Sequence, residues 1–524
     1  MKESQNRQTE ERFVYETEQL FQRYYNATQE FRDKCRQNEL FWRSEHWKGK
    51  AQKQGEPYPS VPALFSAVEN VHAEVMDNYP EAVLLPCEAD DEQAAQVLNT
   101  IVNTTLERRE FQKKYRREML RLLKNGACCF SVEWNSSLYG GYGDIDVEPW
   151  DIRYLLWDPD YDDIQNGKNL FRFSFCDREA LQEQYPDKAQ ALQEESWSGN
   201  LLRVDERFPW GGGENDILVI ERWYKRRNPL TGNTAVHMAK IAGGVLLECS
   251  ENGAQQQCGV YSDGKYPFVL FSLYELEDTP VGMGLIDVFK GEQEYIDLLE
   301  RAILKNALIS GKIRLLKDQR CNIPTEKLAD WEEDVLEGSD VSERSLRWFQ
   351  PAAISPSVQE HLEYKINMLK RDSGQNDFAR GEAGYGVTSA SAIIALQNAA
   401  NKRTRNIIGR IYDKFGEIVR MMIARTAQFY DKTRAVRVAG EKAVYFDPED
   451  FARRSWFDFD VNVKSLKKNP SEMLYDNDFA RQLFEAGAID AYTMVEMMNF
   501  DGRETVLRKM REQSNGDVPR KKSE

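Results

Sequence analysis

Between residues 282 and 430 the apolar positions fall into three helical runs. In the first, Leu285, Phe289, Ile296, Leu299 and Ile303 recur near the helical repeat, with Lys290, Glu292, Glu294 and Lys305 among them. That spacing predicts a helix with one buried stripe. The second starts near Ser357, and Val358, Leu362, Ile366 and Leu369 step by three or four until Ser373-Gly374 supplies a stop. After the glycine-rich stretch 375–387, Thr388 is placed to cap a third run, in which Ile393, Leu396, Ala400, Ile407, Ile411, Phe415, Ile418, Met422 and Phe429 hold register to Tyr430. Its 43 residues make a rod of about 64 Å. The run lacks the sustained heptads and charged flanks of a coiled coil, so the rest of the protein must cover it.

The remainder of the chain alternates. Residues 11–43 are charged and helical, with Phe13, Phe21, Tyr24, Tyr25, Phe31 and Trp42, and end in the turn-rich FWRSEHWKGKAQKQGEPYP. Helices are predicted over 61–78 and 90–125, with a strand over 82–85 between them. From 127 to 281 the period shortens to that of strands: ACCFSVEW, DIDVEPWDIRYLLWDP, LFRFSFC, DILVIERWYKR, TAVHMAKIAGGVLLEC and YPFVLFSLYE. Asp177 is placed to cap a short helix, REALQEQY. Strands return at RAVRVAG, KAVYF and WFDFDVNV, and helices are predicted over 471–486 and 489–498 before a polar tail, NGDVPRKKSE, expected to be disordered. The fold class is α+β, a mixed body interrupted by a helical insertion and followed by a small helical unit.

Length sharpens this picture: 524 residues exceed one compact core and suggest two to four domains. With 41% apolar and 30% charged residues the composition is that of a soluble folded protein, and no apolar run is long enough to cross a bilayer. MKESQNRQTEERF lacks the apolar segment of a secretory signal, so the protein is expected to stay in the cytosol where it is made. The eight cysteines are scattered without a CxxC pair and are expected to be reduced and mostly buried. Cys128 and Cys129, adjacent on a strand, should point to opposite faces. A net charge of −16 excludes a surface that grips nucleic acid everywhere by counterion release.

The sequence lacks the common nucleotide-binding and hydrolase motifs. Gly49-Lys50, Gly167-Lys168, Gly264-Lys265 and Gly311-Lys312 are followed by Ala, Asn, Tyr and Ile, so no P-loop hydroxyl is available for magnesium. GxSxG and HExxH are missing, and His46, His72, His237 and His361 are dispersed, which favours packing or surface roles. Asp158, Asp160, Asp162 and Asp163 in WDPDYDDIQNG lack the glycine and glutamate of a calcium loop and read as a solvated turn. The glycines of PWGGGEND and YGGYGD precede no helix start and read as loop tips. No cofactor or metal is implied.

The order of these features resembles the portal proteins of tailed bacteriophages, the head-tail connectors of siphophage-like and podophage-like viruses. The resemblance spans nearly the whole chain: the aromatic and basic FWRSEHW, the segment NVHAEVMDNYPEAVLLP, Lys124-Asn125-Gly126-Ala127 before a strand, GDIDVEPWDIRYLLWDP, GMGLIDVFKGEQEYIDLLERAILKNAL, and TSASAIIALQNAANKRTRNIIGRIYDKF. It implies a wing over 1–281 with return strands over 430–469, stem helices over 282–311 and 354–374, a clip over 312–353, a tunnel loop over 375–387, a long wing helix over 388–430, a crown over 470–513 and a tail over 514–524. It also implies a non-enzymatic ring, usually of twelve subunits, at one capsid vertex of the virion, assembled in the host bacterial cytoplasm. Double-stranded DNA is packaged and ejected through such a ring. Its partners are a separate terminase, a head-tail adaptor, and the major capsid and scaffold proteins.

Twelve copies at −16 each would carry about −192 charges, and a like-charged bore lets DNA slide. Basic rings within it are expected at Lys312, Arg314, Lys317 and Arg320, unless these pair with Glu332, Glu333, Asp334 and Glu337 of neighbouring subunits. In the tunnel loop, Phe378, Arg380, Glu382 and Tyr385 are the channel residues, with Gly381, Gly384 and Gly386 granting mobility. Phe378 and Tyr385 face either the duplex or a neighbouring loop. Trp331, Glu332, Glu333, Asp334, Trp348 and Phe349 are the candidate terminase or adaptor docking surface, the last two alternatively packing within the clip. Two other classes remain: a different viral structural ring such as a head-tail adaptor, or a metal-dependent nuclease using Asp144, Asp146 and Asp158.

Overall fold

The computed structural model describes residues 2–48, 50, 56–86, 92–193, 216–227, 232, 234–252, 258–311, 314–318, 322–324, 346–349, 354–374, 402–431, 434–436, 444–446, 459–465, 470–498, 500, 502–503, 505–507 and 509–510. In chain order the first elements are α1 (Lys2–Ala27), α2 (Gln29–Trp42), α3 (Ala63–Asp77), β1 (Pro80–Pro86), α4 (Glu92–Arg108) and α5 (Phe111–Asn125). Next come β2 (Ala127–Asn135), β3 (Asp144–Trp150), β4 (Leu155–Leu156), β5 (Asn169–Asp177), α6 (Arg178–Gln184), α7 (Ala189–Gln193), β6 (Asp216–Arg227), β7 (Thr234–Ala242) and β8 (Val245–Cys249). Then follow β9 (Phe268–Ser272), β10 (Tyr274–Leu276), β11 (Thr279–Met283), α8 (Leu285–Ser310), β12 (Arg314–Lys317), β13 (Leu346–Phe349), α9 (Pro356–Asp372) and α10 (Lys402–Phe429). The chain closes with β14 (Arg434–Val436), β15 (Val444–Phe446), β16 (Phe459–Ser465), α11 (Pro470–Glu485) and α12 (Ala491–Met497).

Strand β2 divides two cores because successive side chains leave a strand on opposite faces. Cys128, Phe130 and Val132 enter a core shared with α5 and α10, while Ala127 and Cys129 enter a second with Trp157, Leu170, Trp223 and Val236. The adjacent cysteines are both buried and unbridged, on the opposite faces their spacing predicts. Amphipathic α5 seals the first core with Phe111, Tyr115, Met119, Leu122 and Leu123. Helix α10 crosses the same core through Ile407, Ile411, Phe415, Ile418 and Met422, and Phe415 lies 5.9 Å from Phe111, ring to ring.

Strands β3, β2 and β9 form one sheet, and β4 to β8 form a five-stranded sheet in sequence order. Among the described residues every strand pairing is antiparallel, as short hairpins allow. The turn from β7 to β8 is Gly243-Gly244, both with positive φ, which suits the twist of a two-residue hairpin. Helix α1 covers this sheet: Phe21 meets Phe173 edge-on at 5.5 Å and Tyr24 meets Phe171 at 5.3 Å. Late in the chain β16 pairs with β1 over its full length, Pro80 opposite Ser465 and Pro86 opposite Phe459.

Several elements differ from their sequence expectation. The helix predicted over 90–125 is two helices, because Glu110 adopts a left-handed conformation with φ of 50°. That turn lets α5 place Phe111 under β2 while α4 packs on β1. The helical stretch 11–43 is likewise divided at Thr28, whose hydroxyl donates to the Tyr24 carbonyl at 2.8 Å. Asp177 precedes α6, but its side chain makes no capping hydrogen bond. Of the long run predicted over 388–430, α10 accounts for 402–429, and Thr388 lies outside the described residues.

Candidate functional site

Helix α8 joins the body where three glycines let backbones touch. A Cβ on Gly284 would sit 2.4 Å from the Lys124 carbonyl oxygen, and one on Gly126 would sit 2.4 Å from that of Gly282; no side chain fits either gap. Asp287 in the first turn accepts from the Gly284 amide at 2.9 Å and from Asn38 Nδ2 at 3.0 Å. Lys34 Nζ lies 3.3 Å from Asp287 and donates to the Gly282 carbonyl at 3.0 Å. The anionic side chain thus holds both the helix start, where the macrodipole favours it, and α2.

Two turns on, a buried polar cluster replaces apolar packing. Gln293 accepts from the Leu64 amide at 3.0 Å and donates to the Val61 carbonyl at 2.6 Å. Asp297 accepts from the Val61 amide at 2.8 Å, from Gln293 and from the Ser60 hydroxyl. His46 stacks on Phe41 with 4.7 Å between ring centres, and its Nε2 lies 3.2 Å from Asp297. Burial pushes the His46 imidazole below its ordinary range and the Asp297 carboxyl above its own, because a low-dielectric site disfavours either charged form.

The far half of α8 packs on α9 through Ile296, Leu299 and Ile303 against Leu362, Ile366 and Leu369, the apolar positions expected from the sequence. Lys365 Nζ binds Glu292 at 3.0 Å across the pair. Arg301 and Lys305 both reach Glu56, and Arg301 also covers the Tyr58 ring at 4.1 Å. Helix α9 begins after Ser355 with Pro356 in its first turn and ends at Ser373-Gly374, where Gly374 has positive φ, as the sequence implies.

Helix α8 carries a second apolar stripe, turned outward: Val288, Tyr295 and Leu298 are 47%, 62% and 48% exposed. On α9, Tyr364 is 58% exposed and stacks against His361 with 6.2 Å between ring centres. The buried stripe predicted for α8 does not include this one; its signal in the sequence is that Val288, Gly291, Tyr295, Leu298 and Ala302 recur at alternating steps of three and four, the spacing of a helix seam.

Strands β12 and β13 lie between α8 and α9 and pair antiparallel, Arg314 opposite Phe349 and Leu315 opposite Trp348. Lys317 donates to the Ile323 carbonyl and is exposed. The pairing therefore brings the backbones of Arg314, Lys317, Trp348 and Phe349 together. Lys312, Arg320, Trp331, Glu332, Glu333, Asp334, Phe378, Arg380, Glu382 and Tyr385 lie outside the described residues.

The carboxylates weighed for a nuclease have separate local partners. Asp144 accepts from the Tyr430 hydroxyl at 2.6 Å, Asp146 from Asn135 at 3.3 Å, and Asp158 from the Lys168 and Asp160 amides. Among the described residues no three His, Cys, Asp or Glu side chains gather as a metal site, and no helix is long and apolar enough to cross a membrane. Three histidines have packing or bonding partners, His46 as above, His72 with the Arg116 carbonyl and His237 with the Ser250 hydroxyl, while His361 is exposed beside Tyr364.

No individual curated protein matches the chain. A family model described as Phage P22-like portal protein matches residues 18–245 and 329–524, leaving out the segment that holds α8. The match covers most of the sequence, α9 included, and the mixed α/β architecture with its antiparallel sheets fits it: the chain belongs to the P22-like phage portal protein family.

Proposed function

We propose that this protein assembles into a closed ring, of twelve copies in the virion, that forms the DNA channel at one capsid vertex. The observation that carries the reading is the outward stripe of α8. A lone subunit leaves Val288, Tyr295 and Leu298 in water, and covering such side chains is worth about 1.5–3 kcal/mol each. A rotationally repeated contact covers them in every copy, and when the rotation closes it leaves a central hole.

Within that ring, residues 1–281 and 430–469 form the wing, 282–311 and 354–374 the stem, 312–353 the clip, 388–430 the long wing helix and 470–513 the crown. Phe378, Arg380, Glu382 and Tyr385 of the loop 375–387 face the bore. Lys312, Arg314, Lys317 and Arg320 form basic rings in an otherwise acidic tube, through which double-stranded DNA slides on packaging and ejection. Trp331, Glu332, Glu333, Asp334, Trp348 and Phe349 present the surface for a terminase and later a head-tail adaptor. The protein contributes architecture, and the terminase supplies the ATP-driven work, which suits a chain with no P-loop.

End-on negative-stain images of the purified protein, with light scattering on the same sample, test the assembly. Rings with a central hole are expected. A monodisperse monomer at micromolar concentration overturns the reading.

A further inference from the structure

A ring of more than two copies needs two different surfaces, one to give and one to receive, because a stripe that meets its own copy generates only a two-fold pair. The described structure supplies two candidate helix faces. On α8 the exposed positions include Val288, Gly291, Tyr295, Leu298, Ala302 and Lys305, with Ala307 and Leu308 at its end; on α9 they include Ser357, His361, Tyr364 and Arg371. Each carries a large exposed aromatic side chain near its middle, Tyr295 and Tyr364.

The heights of these faces match. The two helices are antiparallel, and the Glu292–Lys365 ion pair at 3.0 Å fixes their relative register. Each residue climbed on α8 corresponds to one descended on α9, at about 1.5 Å per residue. By that count Tyr295 stands level with Tyr364, and Leu298 with His361, to within about 3 Å, a gap that side chains of this length span. Rotation about an axis parallel to the helices changes no height. In a ring whose axis runs along the helix pair, residues level within one subunit stay level between neighbours.

We propose that the outward stripe of α8 docks on the His361–Tyr364 face of α9 in a second copy of this chain, with Tyr295 against Tyr364 and Leu298 against His361. This rests on the ring reading and adds to it the two surfaces and their register. Offset stacking of the two tyrosines supplies contact area together with hydroxyls that stay hydrated at the rim. The contact has a direction, α8 of one copy to α9 of the next, so every subunit makes it twice with different neighbours.

The test uses full-length chains carrying paired cysteines, Leu298→Cys with His361→Cys and, as a second pair, Tyr295→Cys with Tyr364→Cys. Assembled rings are mildly oxidised, separated under denaturing conditions, and the joined peptides identified by mass. A ladder of covalent multimers from either double variant is expected. Each single variant should give none beyond the parent, and mixed rings of two single variants should stop at dimers. Rings that form without a ladder, from both pairs and also with a short bis-maleimide linker, overturn the contact while leaving the ring intact. Covalent dimers joined at position 298 in the Leu298→Cys single variant overturn it in favour of a two-fold contact. Absence of rings from the parent chain overturns the ring reading itself.

Discussion

Phe130 on β2 and Tyr295 on α8 are both large aromatic side chains, put to opposite uses. Phe130 is sealed between Phe111 at 5.2 Å and Phe271 at 5.6 Å, whereas Tyr295 stands in solvent on a helix whose inner side holds a buried glutamine and aspartate. The body around β2 satisfies its apolar surface within one chain. The α8–α9 pair divides its apolar surface: Leu285, Ile286, Phe289 and Ile296 pack on the body beside the Gln293–Asp297 anchor, while Val288, Tyr295 and Leu298 turn outward. A region stabilised from within has a stability of its own, and a region completed by a neighbour has a stability that depends on concentration.

One added methyl group separates the two regimes most sharply. At Gly284, in the joint, a Cβ meets backbone atoms of Lys124 and Gly126 at 2.4 to 2.8 Å, while at Gly291, on the outward stripe of α8, it meets nothing within 4 Å. Gly284→Ala is expected to cost more than about 3 kcal/mol or to leave the protein insoluble, since backbone cannot retreat as a flexible side chain can. Gly291→Ala should gain up to about 1 kcal/mol from helix propensity. Urea unfolding at concentrations where the chain is unassembled reads both. Parent-like stability of Gly284→Ala would dissolve the distinction between a locked joint and a free face.

This contrast also marks how far the sequence was legible. The periodicities of α8, α9 and α10 and the alternation at Cys128-Cys129 are local signals, and the structure follows them. The breaks at Thr28 and Glu110 carry no glycine or proline, so nothing in the pattern announces them; packing of Phe111 under β2 sets the second. The joint was invisible for a different reason. Gln293 and Asp297 look like solvated positions of an amphipathic helix, and only contacts with residues more than 220 positions away, Val61 and Leu64, turn them into buried anchors. Gly126, Gly282 and Gly284 likewise become meaningful only when two distant backbones cross.

A smaller effect tests whether the joint is a titrating anchor. His46 has its folded pKa pushed down by burial, so the unfolded chain takes up that proton first, near pH 6.5. Its contribution is present above the ordinary imidazole range and is lost as pH falls through it, by up to about 1.4 kcal/mol per unit. His237 adds a similar slope, while the buried carboxyls of Glu118 and Asp297, pushed up, oppose it. The informative quantity is therefore the difference between parent and His46→Gln. Melting temperatures from pH 5.5 to 7.5 should rise more steeply with pH in the parent than in the variant; identical slopes would mean that His46 takes up its proton equally in the folded and the unfolded chain, so that its burial costs the charged form nothing.

The smallest effect asks whether the body's polar burial is as well satisfied as the joint's. Asp297 has hydrogen-bond donors from a backbone amide, an amide side chain and a hydroxyl, but Glu18 on α1 is buried with Oε1 lacking a hydrogen-bond partner. Burial pushes the Glu18 carboxyl up to about 7. With the folded pKa raised, its contribution to stability is full below the ordinary carboxylate range and is lost as pH climbs through about 7. At pH 8 the folded chain carries a poorly solvated anion there. Glu18→Gln keeps the shape and removes the charge, so it should raise the melting temperature at pH 8, by a stabilisation on the order of 1 kcal/mol once residual solvent screening is allowed for. At pH 4, below the ordinary carboxylate range, where the carboxyl is mostly neutral in the folded and the unfolded chain alike, the two proteins should melt together. A variant that is less stable than the parent at pH 8 would show that the Glu18 carboxylate has a cationic partner in the folded body, and the contrast with the joint would then narrow to the apolar side chains alone.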